Sequence, residues 1–235
     1  MKPTTVTAVM VTGHNPRRQR LARLTAQAFP RQTYPHAELL IVNQGSSPLF
    51  EEPPARVREV MDGAGLVVGA LRNLAWRFAT SELMTCWDDD DVHHPQRIAL
   101  QVSRFRDRPV ALQYELYLHL GTGEAFAYRR SGGFENSLLW PRDCTSRYAE
   151  RPRGEDACFF HALARELGIH RIDNPPSLYV RIFHGQNVWH EDHFFGEPQR
   201  AAADPRNQHL HVRPPTEEER GFLDRLLPEY RKAAP

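Results

Sequence analysis

The chain has 235 residues, and 30 Lys plus Arg against 29 Asp plus Glu leave a formal charge of +1, so total charge calls for no polyanionic partner. With 40% apolar and 25% charged residues it has the composition of a soluble globular protein with one substantial core, which excludes disorder as the dominant state. No apolar run approaches the roughly 20 residues that span a bilayer.

The start, Met1-Lys2-Pro3-Thr4-Thr5, has no signal-peptide h-region, and the three scattered cysteines, Cys86, Cys144 and Cys158, form no Cys-x-x-Cys pair. The expectation is an intracellular, cytoplasmic protein with neither a disulfide framework nor a Cys-rich zinc site. Val6 to Val11 alternates as a strand and is followed by the turn Gly13-His14-Asn15-Pro16. A helix with Leu21, Leu24 and Ala28 on one face then runs to Phe29-Pro30. Glu38 to Val42 is a continuous apolar run closed by Asn43-Gln44-Gly45-Ser46-Ser47, the pattern of a buried parallel strand and its exit loop. Arg56 to Val60 is a weaker strand, and Ala70 to Phe78 a helix with Leu71, Leu74, Ala75 and Phe78 aligned. Leu83 to Trp87 reads as a strand running into Asp88-Asp89-Asp90-Asp91, after which Pro95 opens a helix bearing Ile98, Val102 and Phe105.

Beyond residue 107 the pattern turns strand-like, at Val110 to Leu118 and Glu124 to Arg129, with a further apolar stretch at Leu138 to Trp140. A helix is expected over Glu155 to Leu167 and a last strand over Ser177 to Phe183. Residues 184–215, rich in His, Pro and charge without periodicity, read as a long loop or lid. Thr216-x-x-Glu219 is a capping box opening a helix with Phe222, Leu223, Leu226 and Tyr230.

Alternating strands and helices predict an α/β fold, in which ligands bind beyond the carboxyl ends of the strands. The four carboxylates at 88–91 stand at such an end, where their mutual repulsion calls for a neutralising cation. Hard oxygen ligands favour Mg²⁺ or Mn²⁺ over zinc; the alternative is a solvated acidic loop or a helix cap before Pro95. Arg72 and Asn73 lie off the apolar face of their helix and are candidates for contact with a nucleotide or diphosphate, or ordinary surface residues. Gly63-x-Gly65-x-x-x-Gly69 has the wrong spacing for a dinucleotide loop. His190-Glu191-Asp192-His193 is either a transition-metal site or solvated surface, and Trp140 and Trp189 either stack on a sugar or an aromatic acceptor or pack in core and lid.

The order of motifs is specific: Thr7 to Asn15, Glu38 to Ser46, Gly69 to Ala75, Trp87-Asp88-Asp89-Asp90-Asp91 with Pro95-Gln96-Arg97-Ile98, Gly154-Glu155-Asp156, and Tyr179 to Asn187. From about residue 6 to residue 190 it resembles the family 2 glycosyltransferases. That resemblance implies a GT-A-like domain over residues 1–215, with a central mixed, mostly parallel sheet flanked by helices. Residues 1–107 form its nucleotide-sugar half and 108–215 its acceptor half and lid, with 216–235 a C-terminal helix. It implies inverting transfer of a sugar from a nucleotide-sugar, usually a UDP-sugar, to an acceptor hydroxyl with Mn²⁺ or Mg²⁺ as cofactor. Asp88 and Asp90 then form the Asp-x-Asp motif, with Asp90 the direct metal ligand, Asp88 nearer the ribose and His184 completing the coordination.

By the same resemblance Thr12, Asn15, Asn43, Arg72, Asn73, Asp88, Asp89 and Arg181 belong to the donor site. Asp156, the second member of the Glu155-Asp156 pair, is the candidate base, with helix capping by both acids the other reading. Asn43-Gln44 departs from the family's Asp pair and presents donors as well as acceptors to a base edge. Three alternatives are kept: transfer to a hydroxymethylated base in DNA, through Arg17-Arg18-Gln19-Arg20 and Arg147 to Arg153; nucleotidyl transfer; and a non-catalytic nucleotide-sugar-binding module.

Overall fold

The computed structural model describes residues 3–234; Met1, Lys2 and Pro235, with the parts of the expected start and C-terminal segment that they make up, lie outside the described residues. The chain opens with β1 (Val6–Thr12), α1 (Pro16–Ala28), β2 (Ala37–Asn43), β3 (Val57–Val60), α2 (Val68–Phe78) and β4 (Leu83–Cys86). It continues with β5 (Val92–His93), α3 (Arg97–Arg104), β6 (Val110–Leu112), β7 (Tyr114–His119), β8 (Ala125–Arg130) and β9 (Leu139–Pro141). Then follow α4 (Glu155–Leu167), β10 (His170–Ile172), β11 (Tyr179–Phe183), α5 (Glu197–Ala203), β12 (Leu210–Arg213) and α6 (Glu217–Ala233).

Seven strands form a central sheet in the order β10-β6-β9-β4-β1-β2-β3. Only β9 runs antiparallel to its neighbours, β4 and β6, so the sheet is mixed and mostly parallel. The unbroken apolar run of β2 follows from burial on both faces: Leu39 and Ile41 pack on one side with Met10, Trp87 and Ile98, Leu40 and Val42 on the other with Leu71, Met84 and Phe159. The registers Val9↔Leu40 and Val9↔Cys86 align the strands so that β1, β2 and β4 all end at one edge.

A second sheet of five strands, β12-β8-β7-β11-β5, adjoins the first. One face packs Leu116, Leu118, Val180 and Ile182 against Leu21 of α1 and Leu223 and Tyr230 of α6. The other packs Tyr117, Phe126 and Phe183 against Phe194 and Phe195.

The single strand expected over Val110 to Leu118 is two strands in different sheets. Asn174 Oδ1 accepts from Gln113 N at 2.9 Å and Tyr114 N at 3.1 Å, satisfying the backbone where the chain leaves one ladder for the other. Residues 184–215 are not the long loop that their lack of periodicity predicts. They carry a π-helix at Asp192–Gly196, then α5 and β12, anchored by the adjacent aromatics Phe194 and Phe195. The helix expected from Pro95 begins at Arg97, and β10, whose His170 and Arg171 are exposed, was not anticipated. Trp140 is core, packed edge-on to Phe159. Among the described residues no helix is long and apolar enough to cross a membrane.

Candidate active site

The acidic run leaves β4 at the shared carboxyl edge, and its four side chains take four different environments. Asp88 accepts from Arg72 Nη2 at 3.1 Å and from the Tyr179 hydroxyl at 2.8 Å. Asp89 is held by Arg18 through Nη2 and, at 3.4 Å, Nε. Asp90 Oδ2 faces Arg18 Nη1 at 2.9 Å, His184 Nε2 at 3.1 Å and Asn187 Nδ2 at 3.4 Å. Asp91 takes the Ile182 amide at 2.9 Å and lies 3.0 Å from the Tyr179 hydroxyl.

Burial works against ionisation of Asp89, Asp90 and Asp91, and their partners add to it or oppose it. Asp90 overcomes its burial through Arg18, the His184 hydrogen bond and Arg181, and is held down to about 2. Burial and its neighbours Asp90 and Asp88 push Asp91 well above the carboxylate range. The Tyr179 hydroxyl lies between Asp91 and Asp88, within 3.0 and 2.8 Å of their carboxyl oxygens. Burial raises Asp89 despite Arg18. Desolvation also opposes the charge on Arg18, but Asp89 and Asp90 more than offset it and hold the guanidinium above its ordinary range.

Arg72 reaches Asp88 from α2. Its Nε forms a 3.3 Å ion pair with Glu155 Oε1 whose geometry falls outside a hydrogen bond, and its guanidinium lies 5.4 Å from the Tyr148 ring centroid. Desolvation opposes its charge too, yet Cys86, Asp88, Tyr148 and Glu155 raise it well above the usual arginine value. Glu155 is pushed up by burial, against the pull of Arg72. Two glycines bring α2 and α4 together. Gly154, at φ 67°, makes the left-handed turn into α4 that places Glu155 and Asp156 in its first turn. Gly69 lets α2 approach so closely that a Cβ there would lie 1.9 Å from the Ala149 carbonyl oxygen.

These groups surround a cavity of about 170 Å³. Arg72, Asp88, Asp89, Glu155, Asp156 and Arg181, all expected site residues, line it together with Asp90. His184 sits behind the wall as the partner of Asp90. Thr12 is buried at the end of β1 and does not line the cavity. Asn15 caps α1 by accepting from Arg17 N at 2.9 Å. Asn43 is turned inward to Ser47 O at 3.1 Å and Glu59 Oε1 at 2.6 Å. Asn73 clamps Tyr148 through both its amide atoms, at 2.9 and 3.0 Å. The side chains of these three asparagines thus serve the protein's own backbone and loops.

Sequence reading does not assign Arg18 or Tyr179 to this site: Arg18 stands there only within the basic stretch 17–20 offered to DNA, and Tyr179 only as the start of the motif Tyr179 to Asn187. For Arg18 a signal existed: it lies three and four residues before Leu21 and Ala22 and seven before Thr25, a charged residue on the buried stripe of α1. The rim carries Arg153, 5.7 Å from the Trp189 ring centroid, with Trp189 38% exposed. His193 and Asp192 of the other acid-histidine segment pair locally, with Glu197 at 2.9 Å and Arg200 at 2.7 Å.

Of the expected metal set, Asp90 and His184 lie together at 3.1 Å, while Asp88 is engaged by other partners. Among the described residues no three Asp, Glu, His or Cys side chains converge as ligands. Asp88 is turned to Arg72 and Tyr179 while Asp90 faces Arg18 and His184, so guanidinium groups stand where a divalent ion's charge would be needed.

An acid-rich crevice at the carboxyl edge of a mostly parallel sheet, joined to a second, smaller sheet, is the architecture of GT-A glycosyltransferases. Crystal structures of S. aureus TarS 1–349 share it: alone (TM-score 0.53, 12% identity, 97% of this chain and 71% of that one), with UDP-GlcNAc (0.55, 12%, 97% and 72%) and with UDP (0.53, 13%, 98% and 81%). No curated protein matches the chain. The profile described as Glycosyl transferase family 2 matches residues 9–162, well over half the length, and the chain belongs to that family. Enzymes of this family commonly use divalent metals.

Proposed function

We propose that this glycosyltransferase moves a sugar from a UDP-sugar to an acceptor hydroxyl by a single inverting displacement, with Asp156 as base. The observation that carries the reading is that Asp156 and the Arg-bound acid cluster of Asp88, Asp89 and Asp90 line the same cavity. A proton acceptor and a cationic wall around one space are what displacement at a sugar carbon bearing a diphosphate needs, and that shared lining supports the reading. The acceptor oxygen bonds to the anomeric carbon as the bond to the diphosphate oxygen breaks. The electron pair leaves with UDP, the hydroxyl proton passes to Asp156, and attack opposite the leaving group inverts the centre. Binding of UDP-GlcNAc and UDP by the TarS structures supports uridine as the base. Mn²⁺ or Mg²⁺ at Asp88, Asp90 and His184 is the expectation from sequence; among the described residues no three such side chains converge as metal ligands.

Trp189, exposed beside Arg153 at the rim, offers a flat apolar face suited to a sugar ring or another small acceptor. The basic stretches largely serve the fold. Arg18 holds Asp89 and Asp90, Arg20 donates to Ala233 O at 3.0 Å, and Arg147 lies 4.3 Å from the Trp76 ring centroid. These contacts favour a small acceptor over DNA.

Asp156→Asn is the direct test. Sugar transfer should fall by about 10²–10⁴-fold while UDP binding stays within about twofold of the wild type, because a general base acts on the acceptor and not on the nucleotide. Transfer at the wild-type rate in this variant would rule Asp156 out as the base.

A further inference from the structure

Arg18 enters the acid cluster from α1, although the sequence offered it only within the basic stretch 17–20. It lines the cavity, and its side chain keeps 22% of its surface exposed. Of the five N–H donors of a guanidinium, its contacts engage one on each nitrogen, two toward Asp89 and one toward Asp90. The remaining two lie outside these contacts, on a side chain that lines the cavity. Arg72, on the opposite side of Asp88, is fixed in the same way by Asp88 and Glu155.

Each carboxylate at the centre therefore already has a partner within the protein. Asp88 faces Arg72, Asp89 and Asp90 face Arg18, and Asp91 hydrogen-bonds with Tyr179 and the Ile182 amide. A divalent ion binding at Asp90 would have to displace the Arg18 Nη1 contact and set its charge beside a guanidinium that Asp89 still holds in place, a like-charge approach that is costly in a low-dielectric site. A guanidinium, by contrast, presents planar paired donors that suit phosphate oxygens and keeps its charge at any working pH.

We propose that Arg18, buttressed by Asp89 and Asp90 and assisted by Arg72, is the cation that meets the donor's diphosphate, so that donor binding needs no divalent ion. The carboxylates then act as the support that aims Arg18, in place of serving as metal ligands. As the sugar–oxygen bond breaks, charge developing on the diphosphate oxygen is met by N–H groups already in place, and Arg18 gives up no proton. This inference rests on the donor being a uridine diphosphate sugar.

The test uses the full chain and UDP as the probe. Binding is measured by calorimetry with EDTA and with Mn²⁺, for the wild type, Arg18→Met and Arg18→Lys, and Mn²⁺ uptake without nucleotide is followed by electron paramagnetic resonance. The wild type should bind UDP equally, within about twofold, in both conditions, and Arg18→Met should lose about tenfold or more in EDTA, the equivalent of one charge-assisted contact. Arg18→Met, with Asp89 and Asp90 freed, should take up Mn²⁺ that the wild type does not. Arg18→Lys keeps the charge without the fork and should bind in EDTA with intermediate affinity; it carries the test if the Met variant lacks a cooperative melt. Wild-type binding that appears only with Mn²⁺, or wild-type affinity in both variants in EDTA, would overturn the proposal while leaving a UDP-sugar transferase intact. Absence of UDP binding by the wild type in either condition would instead overturn the donor reading on which it rests.

Discussion

Glu115, on β7, is fully buried, and neither carboxylate oxygen has a hydrogen-bond partner. Burial pushes it up to about 8, against the opposing pull of Arg181 and Arg130. An unfolded glutamate ionises near 4.5, so between pH 4.5 and about 8 the folded chain holds a proton that the unfolded chain has released. Over that window stability falls as pH rises; below it both states are protonated, and above it both are ionised. Glu115→Gln removes this term while keeping a similar shape. The variant should match the wild type in urea midpoint near pH 4.5 and exceed it at pH 8, by about 1–3 kcal/mol. Parallel stability profiles for the two proteins across that range would show that Glu115 is ionised in the fold. Residue-scale chemistry of this kind was invisible in the sequence, where Glu115 is one of several polar residues in an alternating strand. Only the covering of that sheet face by Phe194 and its neighbours makes the position dry.

At the scale of elements, the site depends on how α2 meets α4. The Ala149 carbonyl would lie 1.9 Å from any Cβ at position 69, and backbone cannot yield as a flexible side chain can. Gly69→Ala should therefore cost about 1–3 kcal/mol of stability, the usual range for overpacking, and should also lower transfer by separating Arg72 from Glu155. Thermal unfolding and a rate assay read the two effects; unchanged values in both would mean that the loop before α4 gives way freely. The sequence placed the elements well where local periodicity speaks. β1, α1, β2, α2, β4 and α4 occur where alternation or helical spacing put them. The capping box opening α6 forms as written, with Thr216 N donating to Glu219 Oε2 at 2.8 Å and Glu219 N to Thr216 Oγ1 at 3.3 Å. Failures fell where pairing is long-range: the break at Gln113 depends on Asn174, and the π-helix depends on aromatic partners from three strands, β7, β8 and β11.

For the whole molecule, a ligand that binds only the folded chain stabilises it by mass action. UDP at 100 times its dissociation constant should add about 2.7 kcal/mol to the unfolding free energy, read as a rise in melting temperature that GDP and CDP do not produce at equal concentration. An identical rise with all three nucleotides would remove uridine as the preferred base.

What the sequence determined by itself was the α/β class, the ordered motifs of a family 2 glycosyltransferase and the acid run at the end of a buried strand, because these are written in local spacing and residue type. The tertiary structure alone decided how those acids are matched. The partners of Asp89, Asp88 and Asp90 lie 71, 91 and 94 positions away, at Arg18, Tyr179 and His184. Contacts across such separations leave no periodic trace in the chain. The same run of carboxylates reads as a metal site when taken alone and as the seat of an arginine once α1 and β11 are packed beside it.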